Sequence, residues 1–514
     1  MMARNFTFQT EYRNMRKLGF LLLALLLSTT VFSQDSTALK SQVAQAIQDL
    51  RDFVAIPNDA LNPDDIDDNI FWLKKQFEQR GFNTAILDTE NLPLFFAALP
   101  MDDAKPTVLI YMHFDGQSVD PSMWQQPNPY KVVLKKPVDN GFETVSFDEL
   151  GNDINYNWRL FGRSTSDDKG PIIMFLNAID LLKKDNKALS FNIKVILDGE
   201  EEKSSKPLPK AVQQYGELLQ ADFLLIADGP VHSSGKPTIA YGCRGITTMT
   251  LITYGPIKPQ HSGHYGNYAP NPGFQLAQLL ATMKDAEGRV TIDGYYDGIS
   301  LDEETKAILK SVPDDDRAIA STLQFKSAEK VGSFYQEALQ YPSLNIRGLG
   351  SGWIGPKRRT IVPESATAEL DLRLVPESDG NRLKQLVKEH IAKQGFQVLD
   401  HVPTKDERMR YDKIVTVEEG SVTDAFRTDL DNPYGNFLND VLKNTFDEEV
   451  VRIRIMGGTV PIAPFINELQ IPAFLVPMVN PDNNQHSPNE NLKIGQLAYG
   501  IRAFYNILSA QKQQ

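Results

Sequence analysis

The sequence contains little cysteine and no excess of positive charge. Its 514 residues include one cysteine, Cys243, which excludes an internal disulfide as a support of the fold. We expect Cys243 to be a small buried side chain, as free cysteines commonly are. Lysine and arginine number 53 against 66 aspartates and glutamates, so the net charge is −13. A basic excess that could neutralise phosphates is missing, which argues against nucleic acid as a partner.

The apolar run near the N-terminus, Leu18–Leu27, is too short to cross a membrane comfortably, since a span takes roughly 20 residues. Arg16 and Lys17 precede it, and small and polar residues follow. This is the layout of a secretory signal peptide. We predict that residues 1–33 are removed, with Met15 as an alternative start of translation. The mature protein is then secreted or periplasmic and has no stable membrane span; a retained membrane anchor is the alternative.

The remaining composition is that of a globular protein, with 41% hydrophobic and 23% charged residues. Apolar residues recur at helical spacing from Ala38 to Val54, and short apolar runs then alternate with helical patterns. The runs predicted as strands are Thr107–Met112, Phe191–Leu197, Phe223–Ala227, Val450–Ile455 and Ile471–Met478. Because they carry few polar residues, they favour strands buried on both faces of a mixed, mostly parallel sheet. The fold class is therefore α/β.

A segment from about 246 to 405 has a different pattern. It contains two alternating strands, Thr247–Thr253 and Ser365–Leu374, and two helices, Gly273–Lys284 and Asn381–Gln394. These elements predict a smaller two-layer α+β domain that interrupts the larger one. The predicted organisation is a first part at 34–245, the inserted domain at 246–405 and a second part at 406–514. Residues 290–345, including Asp314–Asp316, are predicted to be irregular solvated surface.

Polar residues follow several of the predicted buried strands. They are His113, Asp115, Glu200, Glu201, Glu202, Asp228 and His486, with Asp167 and Asp168 just before a predicted helix. Ligand sites in open α/β sheets lie at the carboxyl ends of the strands, so these side chains are expected to share one crevice. Two histidines and several carboxylates are a suitable ligand set for a pair of zinc ions.

The chemistry of a paired metal site suggests a role for each residue. One carboxylate can bridge two metals, and Asp167 is the candidate bridge. His113 and Asp228 would complete one site, and Glu202 and His486 the other. Asp115, two residues beyond His113 on an extended strand, could orient the imidazole. Glu201, adjacent to a metal ligand, would act as the general base.

These motifs resemble those of the dinuclear zinc exopeptidases that include carnosine dipeptidase, non-specific cytosolic dipeptidase, glutamate carboxypeptidases and aminoacylase. The similar segments are YMHFDGQ, GRSTSDDKGP, GEEEKSS and QHSPNE, and they occur in the family's order between about residues 40 and 508. The resemblance implies a zinc-exopeptidase-like catalytic domain interrupted by a lid and dimerisation domain. It also implies the same roles for Asp167, Glu201 and Glu202. Ser164 and Ser204 stand where the family commonly has glycine.

The dipeptidase branch offers the strongest resemblance. HSG at 261–263 resembles the lid element whose histidine reaches the partner's active site, which makes His261 a candidate substrate contact and implies a homodimer through the lid. The stretch ending ELDLRLVP makes Arg373 a candidate for holding a substrate carboxylate, which suits the planar guanidinium fork. MGGTVPI resembles a loop lining the substrate cleft, so Gly458 and Thr459 are further candidates.

The resulting prediction is a secreted metallopeptidase with two zinc ions per subunit that hydrolyses dipeptides or short peptides, as a dipeptidase or carboxypeptidase. Manganese or cobalt could replace zinc in such a site. The first alternative is an N-acyl-amino-acid amidohydrolase of the aminoacylase kind, which uses the same metals. The second is a catalytically silent metal or peptide scavenger, against which the presence of Glu201 and Asp115 argues.

Overall fold

The structure is a computed structural model that describes residues 37–151 and 154–511. The predicted signal peptide lies outside these residues. Within them, no helix combines the length and the apolar character that a membrane crossing requires. The predicted opening helix is present and covers residues 37–54.

The strands are numbered in chain order. They are β1 (Asn83–Leu87), β2 (Leu94–Ala98), β3 (Thr107–His113), β4 (Val133–Val138), β5 (Gly141–Thr144), β6 (Arg159–Phe161), β7 (Asn192–Asp198), β8 (Phe223–Ile226), β9 (Thr238–Ala240), β10 (Gly242–Cys243), β11 (Gly245–Tyr254), β12 (Gln260–His261), β13 (Ser343–Ser351), β14 (Ile361–Val362), β15 (Ser365–Leu374), β16 (Gln397–Leu399), β17 (Ile414–Glu419), β18 (Phe426–Arg427), β19 (Val451–Ile453), β20 (Ala473–Leu475) and β21 (Asn491–Lys493).

The helices follow the same convention. They are α1 (37–54), α2 (Pro63–Gln79), α3 (Lys169–Lys184), α4 (Leu208–Gln214), α5 (Gly216–Leu219), α6 (Ser262–Tyr265), α7 (Pro272–Ala281), α8 (Glu303–Ser311), α9 (Asp316–Leu323), α10 (Tyr335–Ala338), α11 (Gly380–Lys393), α12 (Lys405–Arg410), α13 (Pro433–Phe446), α14 (Ala463–Leu469) and α15 (Ile494–Ser509).

The larger unit is built on an eight-stranded mixed sheet with the order β1-β2-β7-β3-β8-β20-β9-β19. Its centre is parallel, because β3 pairs in parallel with both β7 and β8, and β20 pairs in parallel with β8. One apolar core fills each face of this sheet, so the strands are buried on both sides. That accounts for their nearly uninterrupted apolar sequences. The predicted α/β class with a mixed, mostly parallel sheet is confirmed.

A four-stranded antiparallel sheet, β21-β6-β4-β5, was not predicted from the sequence. Strand β21 is only three residues long and pairs with β6 more than 300 positions earlier in the chain. Strand β5 is exposed along its whole length. Such short or solvent-exposed strands show no clear repeat of apolar residues in the sequence. They are recognised as strands only from their pairing with distant segments in the folded chain.

The smaller unit is a five-stranded sheet with the order β13-β15-β11-β17-β16. Strands β11 and β15 alternate between buried and partly exposed residues along all ten positions, as their sequences predict. The inward residues pack with helices α7 and α11 in a separate apolar core. One face of the sheet is therefore covered by helices, which is the predicted two-layer α+β arrangement.

Two predictions about this unit need correction. The boundary at residue 405 is too early, because β17 pairs with β11 and belongs to the inserted sheet. Residues 290–345 are not irregular throughout, since they contain α8, α9 and α10 and reach the start of β13. Asp314 also is not a solvated residue: its carboxylate lies 3.0 Å from Nε2 of the buried His232. Capping by Asp302 and Asp315, rather than apolar spacing, starts two of these helices.

The chain crosses between the two units beside Cys243, which is buried as predicted. Glycines flank this crossing because the opposing backbone is very close. A Cβ atom on Gly242 would lie 2.2 Å from the carbonyl oxygen of Phe426, and one on Gly245 would lie 2.3 Å from that of Thr423. Any larger residue would push these segments apart.

Candidate metal centre and substrate cavity

The polar residues predicted from the strand ends do meet at one place. His113 is the last residue of β3, and the loop after the neighbouring β7 carries Glu201 and Glu202. Asp228 follows β8, the strand on the other side of β3. These parallel strands end at the same edge of the sheet, which brings their following residues together. Asp167 and His486 join them from two loops.

Two groups of metal-ligating side chains form there and share one carboxylate. The first group is His113, Asp167 and Asp228, and the second is Asp167, Glu202 and His486. Within each group the ligand atoms lie within 4.8 Å of one another. The shared Asp167 is therefore placed where one carboxylate could bridge two cations, the role proposed for it from the sequence.

The residues fit a pair of divalent cations. Oδ2 of Asp167 is buried and has no hydrogen-bond partner, although Nε2 of His486 lies 3.1 Å away. A buried carboxylate oxygen without a hydrogen bond is costly, and a cation placed among these groups would satisfy it. Imidazole nitrogens with carboxylate oxygens are also the donor set that zinc and related transition metals prefer.

Asp115 holds this cluster in place through three contacts. Its Oδ1 lies 3.2 Å from Nδ1 of His113, which leaves Nε2 of that ring facing Asp167. The backbone N–H groups of Glu201 and Glu202 donate to Oδ1 and Oδ2 of Asp115, each over 3.0 Å. The carboxylate therefore orients an imidazole ligand and fixes the loop that carries two more functional residues.

The electrostatics of the cluster show an excess of buried negative charge. Burial raises the pKa of Glu202 to about 7 and that of Asp228 to about 6, and the nearby Asp167 adds to both shifts. Burial also raises the pKa of Glu201 well above its usual range, with further contributions from Asp228 and Asp115. These shifts follow from like charges in a site with little water. Bound cations would reverse them.

The pKa values of the two histidines are also raised, because the neighbouring carboxylates favour the charged imidazole. Burial alone would lower the pKa of His113, but its contacts with Asp115 and Asp167 raise it well above the usual value. The contact with Asp167 raises the pKa of His486 to about 9. Metal ligation requires neutral imidazole, so cation binding would displace these protons.

Glu490 is a residue supporting the site that the sequence analysis missed. This fully buried carboxylate accepts hydrogen bonds from the backbone N–H groups of Ser164, Ser166 and Asp167, and it pairs with Arg163 at 2.8 Å. It thereby shapes the loop that carries Asp167. Its position in QHSPNE, four residues after His486, could have identified it as a residue near the site. The neighbouring sequence does not, however, show that its side chain reaches a loop more than 300 residues away.

Three loop residues at the site have left-handed backbone conformations. Ser164 has φ 61°, Ser204 has φ 73° and His486 has φ 59°. Glycine adopts this region without strain, which is consistent with the resemblance noted above, in which glycine is common at the positions of these two serines. Non-glycine residues in this region are concentrated at functional sites.

A cavity of about 500 Å³ adjoins the metal cluster. Glu201, Arg373, Gly458 and Thr459 all contribute to its wall, together with four of the proposed ligands. Nη1 of Arg373 donates to Oγ1 of Thr459 over 2.8 Å. The structure therefore brings three predicted substrate contacts, from two separate units of the fold, to the cavity that also holds the predicted base.

His261 is not brought to this cavity. It is an exposed residue of β12, and its Nδ1 accepts a hydrogen bond from the backbone N–H of Gly263. Within a single chain it contacts none of the proposed metal ligands among the described residues. Its predicted role depends on a second subunit.

Comparison with known proteins agrees with this geometry. The profile of Peptidase family M20/M25/M40 matches residues 109–510, which is most of the chain. The chain belongs to this peptidase family. The resemblance inferred from the motifs is thereby confirmed, as is the prediction of a metal-dependent hydrolase.

Two curated relatives match over most of their lengths. The chain is 27% identical over 443 residues to the Cys-Gly metallodipeptidase DUG1 of Candida albicans, covering 83% of this chain and 84% of the relative. It is 26% identical over 520 residues to the Beta-Ala-His dipeptidase of Homo sapiens, covering 94% and 95%.

Solved structures share the fold. The M20 family metallo-carboxypeptidase Sso-CP2 of Sulfolobus solfataricus superimposes with a TM-score of 0.74 at 28% identity, covering 90% of this chain and 98% of its own. Human carnosine dipeptidase 1 superimposes with a TM-score of 0.71 at 23% identity, covering 92% and 98%.

Proposed function

We propose that this protein is a metallodipeptidase that cleaves dipeptides or short peptides, with two zinc ions per subunit or with manganese or cobalt in their place. The observation that carries the proposal is the shared carboxylate of Asp167, which joins two ligand groups at the edge of a cavity that also contains Arg373. The cavity volume suits a small ligand. The similarity to curated dipeptidases over most of the chain supports the same substrate class.

In this mechanism each side chain of the site has a separate role. Two divalent cations, when bound, supply the positive charge that activates a water molecule and polarises the scissile carbonyl. Glu201 accepts a proton from the attacking water and later donates it to the leaving amine. Arg373 holds the substrate carboxylate in its guanidinium fork, and Thr459 orients that fork through its hydrogen bond. Asp115 keeps His113 in position without touching substrate.

The deciding experiment compares two substrates with the zinc-loaded mature protein. One is a dipeptide with a free amino end, and the other is an N-acetylated amino acid. Glu201→Gln serves as the blank because it should keep the ligands but lose the base. Cleavage of the dipeptide with little cleavage of the acetylated compound is expected. The reverse result would move the protein to the amidohydrolase class, and cleavage of neither would contradict the proposal.

We also propose a homodimer formed through the lid, in which His261 enters the partner's cavity. Supporting it, large apolar side chains are exposed on the same unit, including Ile257, Tyr268, Phe274 and Ile354. Exposed patches of this kind mark association sites in soluble proteins. Strand β13 also lies at an unpaired edge of the five-stranded sheet.

Mixing two inactive variants tests this arrangement. His261→Ala and Glu201→Gln homodimers should each be nearly inactive. After subunit exchange, one cavity of each mixed dimer has an intact Glu201 and receives an intact His261, so about a quarter of the wild-type activity is expected. An active monomer by light scattering, or no recovery after verified exchange, would contradict the dimer role of His261.

Export is the remaining part of the proposal. The apolar run 18–27 behind Arg16 and Lys17 supports removal of residues 1–33. Intact-mass analysis of the protein from the periplasm and the medium should give a mature chain beginning near residue 34. Exported protein with its N-terminus intact would contradict cleavage, and protein found only inside the cell would contradict export.

A further inference from the structure

A second cavity lies within the lid unit and is separate from the metal centre. Its volume is about 600 Å³, within the range of small-molecule sites. The two cavities have no lining residue in common. Nothing in the proposed peptidase mechanism uses this second space.

Most of its wall is aromatic or aliphatic. The apolar lining side chains include Tyr296, Phe325, Phe334, Tyr335 and Leu344. Two acidic residues also line it, but both already have partners among the described residues. Glu329 is paired with Lys284 at 2.8 Å, and Asp316 accepts a hydrogen bond from the backbone N–H of Tyr335. The wall therefore offers mainly a surface for an apolar body.

One charged side chain in this wall lacks a counterion. Arg244 is only 7% exposed and lines the second cavity. Its Nη2 donates to the carbonyl oxygen of Tyr341 over 2.7 Å, whereas its Nε is buried without a hydrogen-bond partner. Among the described residues, Arg244 forms no ion pair, and the nearby Arg373 adds a second positive charge.

A buried guanidinium without an ion pair is costly to stability, and the carboxylate of Asp371 offsets this cost only through its charge. Burial lowers the pKa of Arg244 to about 10, and the charge of Arg373 acts in the same direction. Arginine cannot relieve this cost by losing its proton at neutral pH. Its planar fork is, however, well suited to bind a carboxylate through paired hydrogen bonds.

From these observations we propose that the second cavity is a binding site for a small organic carboxylate with an aromatic or branched apolar body. The carboxylate binds to the Arg244 guanidinium, while the apolar body packs against Tyr296, Phe334 and Leu344. The site is distinct from the catalytic cavity, where Arg373 holds the substrate carboxylate. Binding in the second cavity would also affect the catalytic cavity, because Oγ1 of Thr459 donates to the backbone oxygen of Arg244 over 2.6 Å.

Calorimetric titration of the zinc-loaded full mature protein with 4-phenylbutyrate tests the proposal. Saturable binding is expected in the wild type. Arg244→Gln should weaken it at least about tenfold, because a charge-assisted hydrogen-bond pair is lost. The neutral amide, 4-phenylbutyramide, should bind the wild type as weakly as the acid binds Arg244→Gln. Absence of saturable binding at millimolar acid would overturn the proposal.

Matched variants separate the two cavities. Arg373→Gln should retain most of the binding of the acid, because Arg373 does not line the second cavity and acts on Arg244 only through its charge. If Arg373→Gln abolishes binding and Arg244→Gln does not, the acid occupies the catalytic cavity and the proposal is wrong. Ala338→Trp, which places a large side chain in the second cavity and leaves Arg244 itself unchanged, is the control for misfolding of Arg244→Gln. It should also abolish binding while thermal unfolding stays cooperative, and unchanged binding in that variant would overturn the assignment.

Discussion

The two sheets of this protein differ in how many of their faces are buried and in where their charged side chains lie. Strand β3 of the large sheet has six buried residues in succession, because separate apolar cores cover both of its faces. Strand β15 of the lid alternates strictly, because helices cover one face only. The large sheet collects buried carboxylates at one edge, whereas the lid carries exposed carboxylates paired with lysines. Buried carboxylates that repel one another favour the binding of cations. Ion pairs on the surface of the lid contribute only modestly to stability.

The largest expected effect concerns the buried carboxylates. Glu201→Gln should lower turnover about 10²–10⁴-fold, because the general base is lost. Metal content measured by mass spectrometry should stay at the wild-type level. The matched control is Glu200→Gln, a neighbour that instead contacts Asn91 and does not line the cavity. Equal losses in both variants would show that the loop as a whole, and not Glu201, is responsible.

The second prediction tests the difference between the sheets. Leu109→Ala and Ile110→Ala, adjacent on β3 and in opposite cores, should each lower the free energy of unfolding by about 2–5 kcal/mol. In β15, Leu370→Ala should cost a similar amount, but Thr367→Ala on the other face only about 0.5 kcal/mol or less. Denaturant unfolding measures all four. A large loss for Thr367→Ala would mean that the second face of the lid is also covered.

A third prediction concerns the support beneath the metal cluster. Asp115→Asn keeps the size of the side chain but replaces one acceptor oxygen shared by His113 and the loop with an amide group. Metal affinity should fall about 10–100-fold, as measured by competition with a chelator. Asp120→Asn, in an exposed turn, is the control and should leave affinity unchanged. An unaltered affinity in Asp115→Asn would show that Asp115 does not position the ligands.

The smallest expected effect belongs to the surface of the lid. Hydrogen bonding from Lys388 lowers the pKa of Glu419, and Lys384 adds to the shift. A lowered folded-state pKa means that the stabilisation is present above the unfolded value, near 4.3, and disappears as the pH falls through the folded value. Because Glu419 is partly exposed, Glu419→Gln should cost less than about 1 kcal/mol at pH 7.

The pH profile provides the check on this last pair. The difference in unfolding free energy between Glu419→Gln and the wild type should shrink towards zero in acid. Glu418→Gln, the exposed neighbour, should show a smaller difference at every pH. A difference that grows in acid would contradict the assigned direction of the pKa shift.

The sequence predicted the strands and helices in which apolar residues repeat regularly along the chain. The buried strands of the large sheet and the alternating β11 and β15 lie within a few residues of their predicted bounds. It did not predict the four-stranded sheet, the helices α8 and α9 or the membership of β17 in the lid, because those depend on short segments and distant pairing. Among polar residues, Glu490 and the buried pair of His232 and Asp314 went unrecognised for the same reason.

The sequence by itself determined the donor chemistry: which histidines and carboxylates follow buried strands, and hence which metals and which reaction class suit them. Tertiary structure decided which of these groups meet, because Asp167 reaches both ligand groups only when parallel strands end at one edge and Glu490 fixes its loop. It also decided that Arg373 faces the cavity, that His261 does not within one chain, and that Arg244 is buried and forms no ion pair with any residue that the structure describes. Contacts across hundreds of residues depend on packing, which no local pattern encodes.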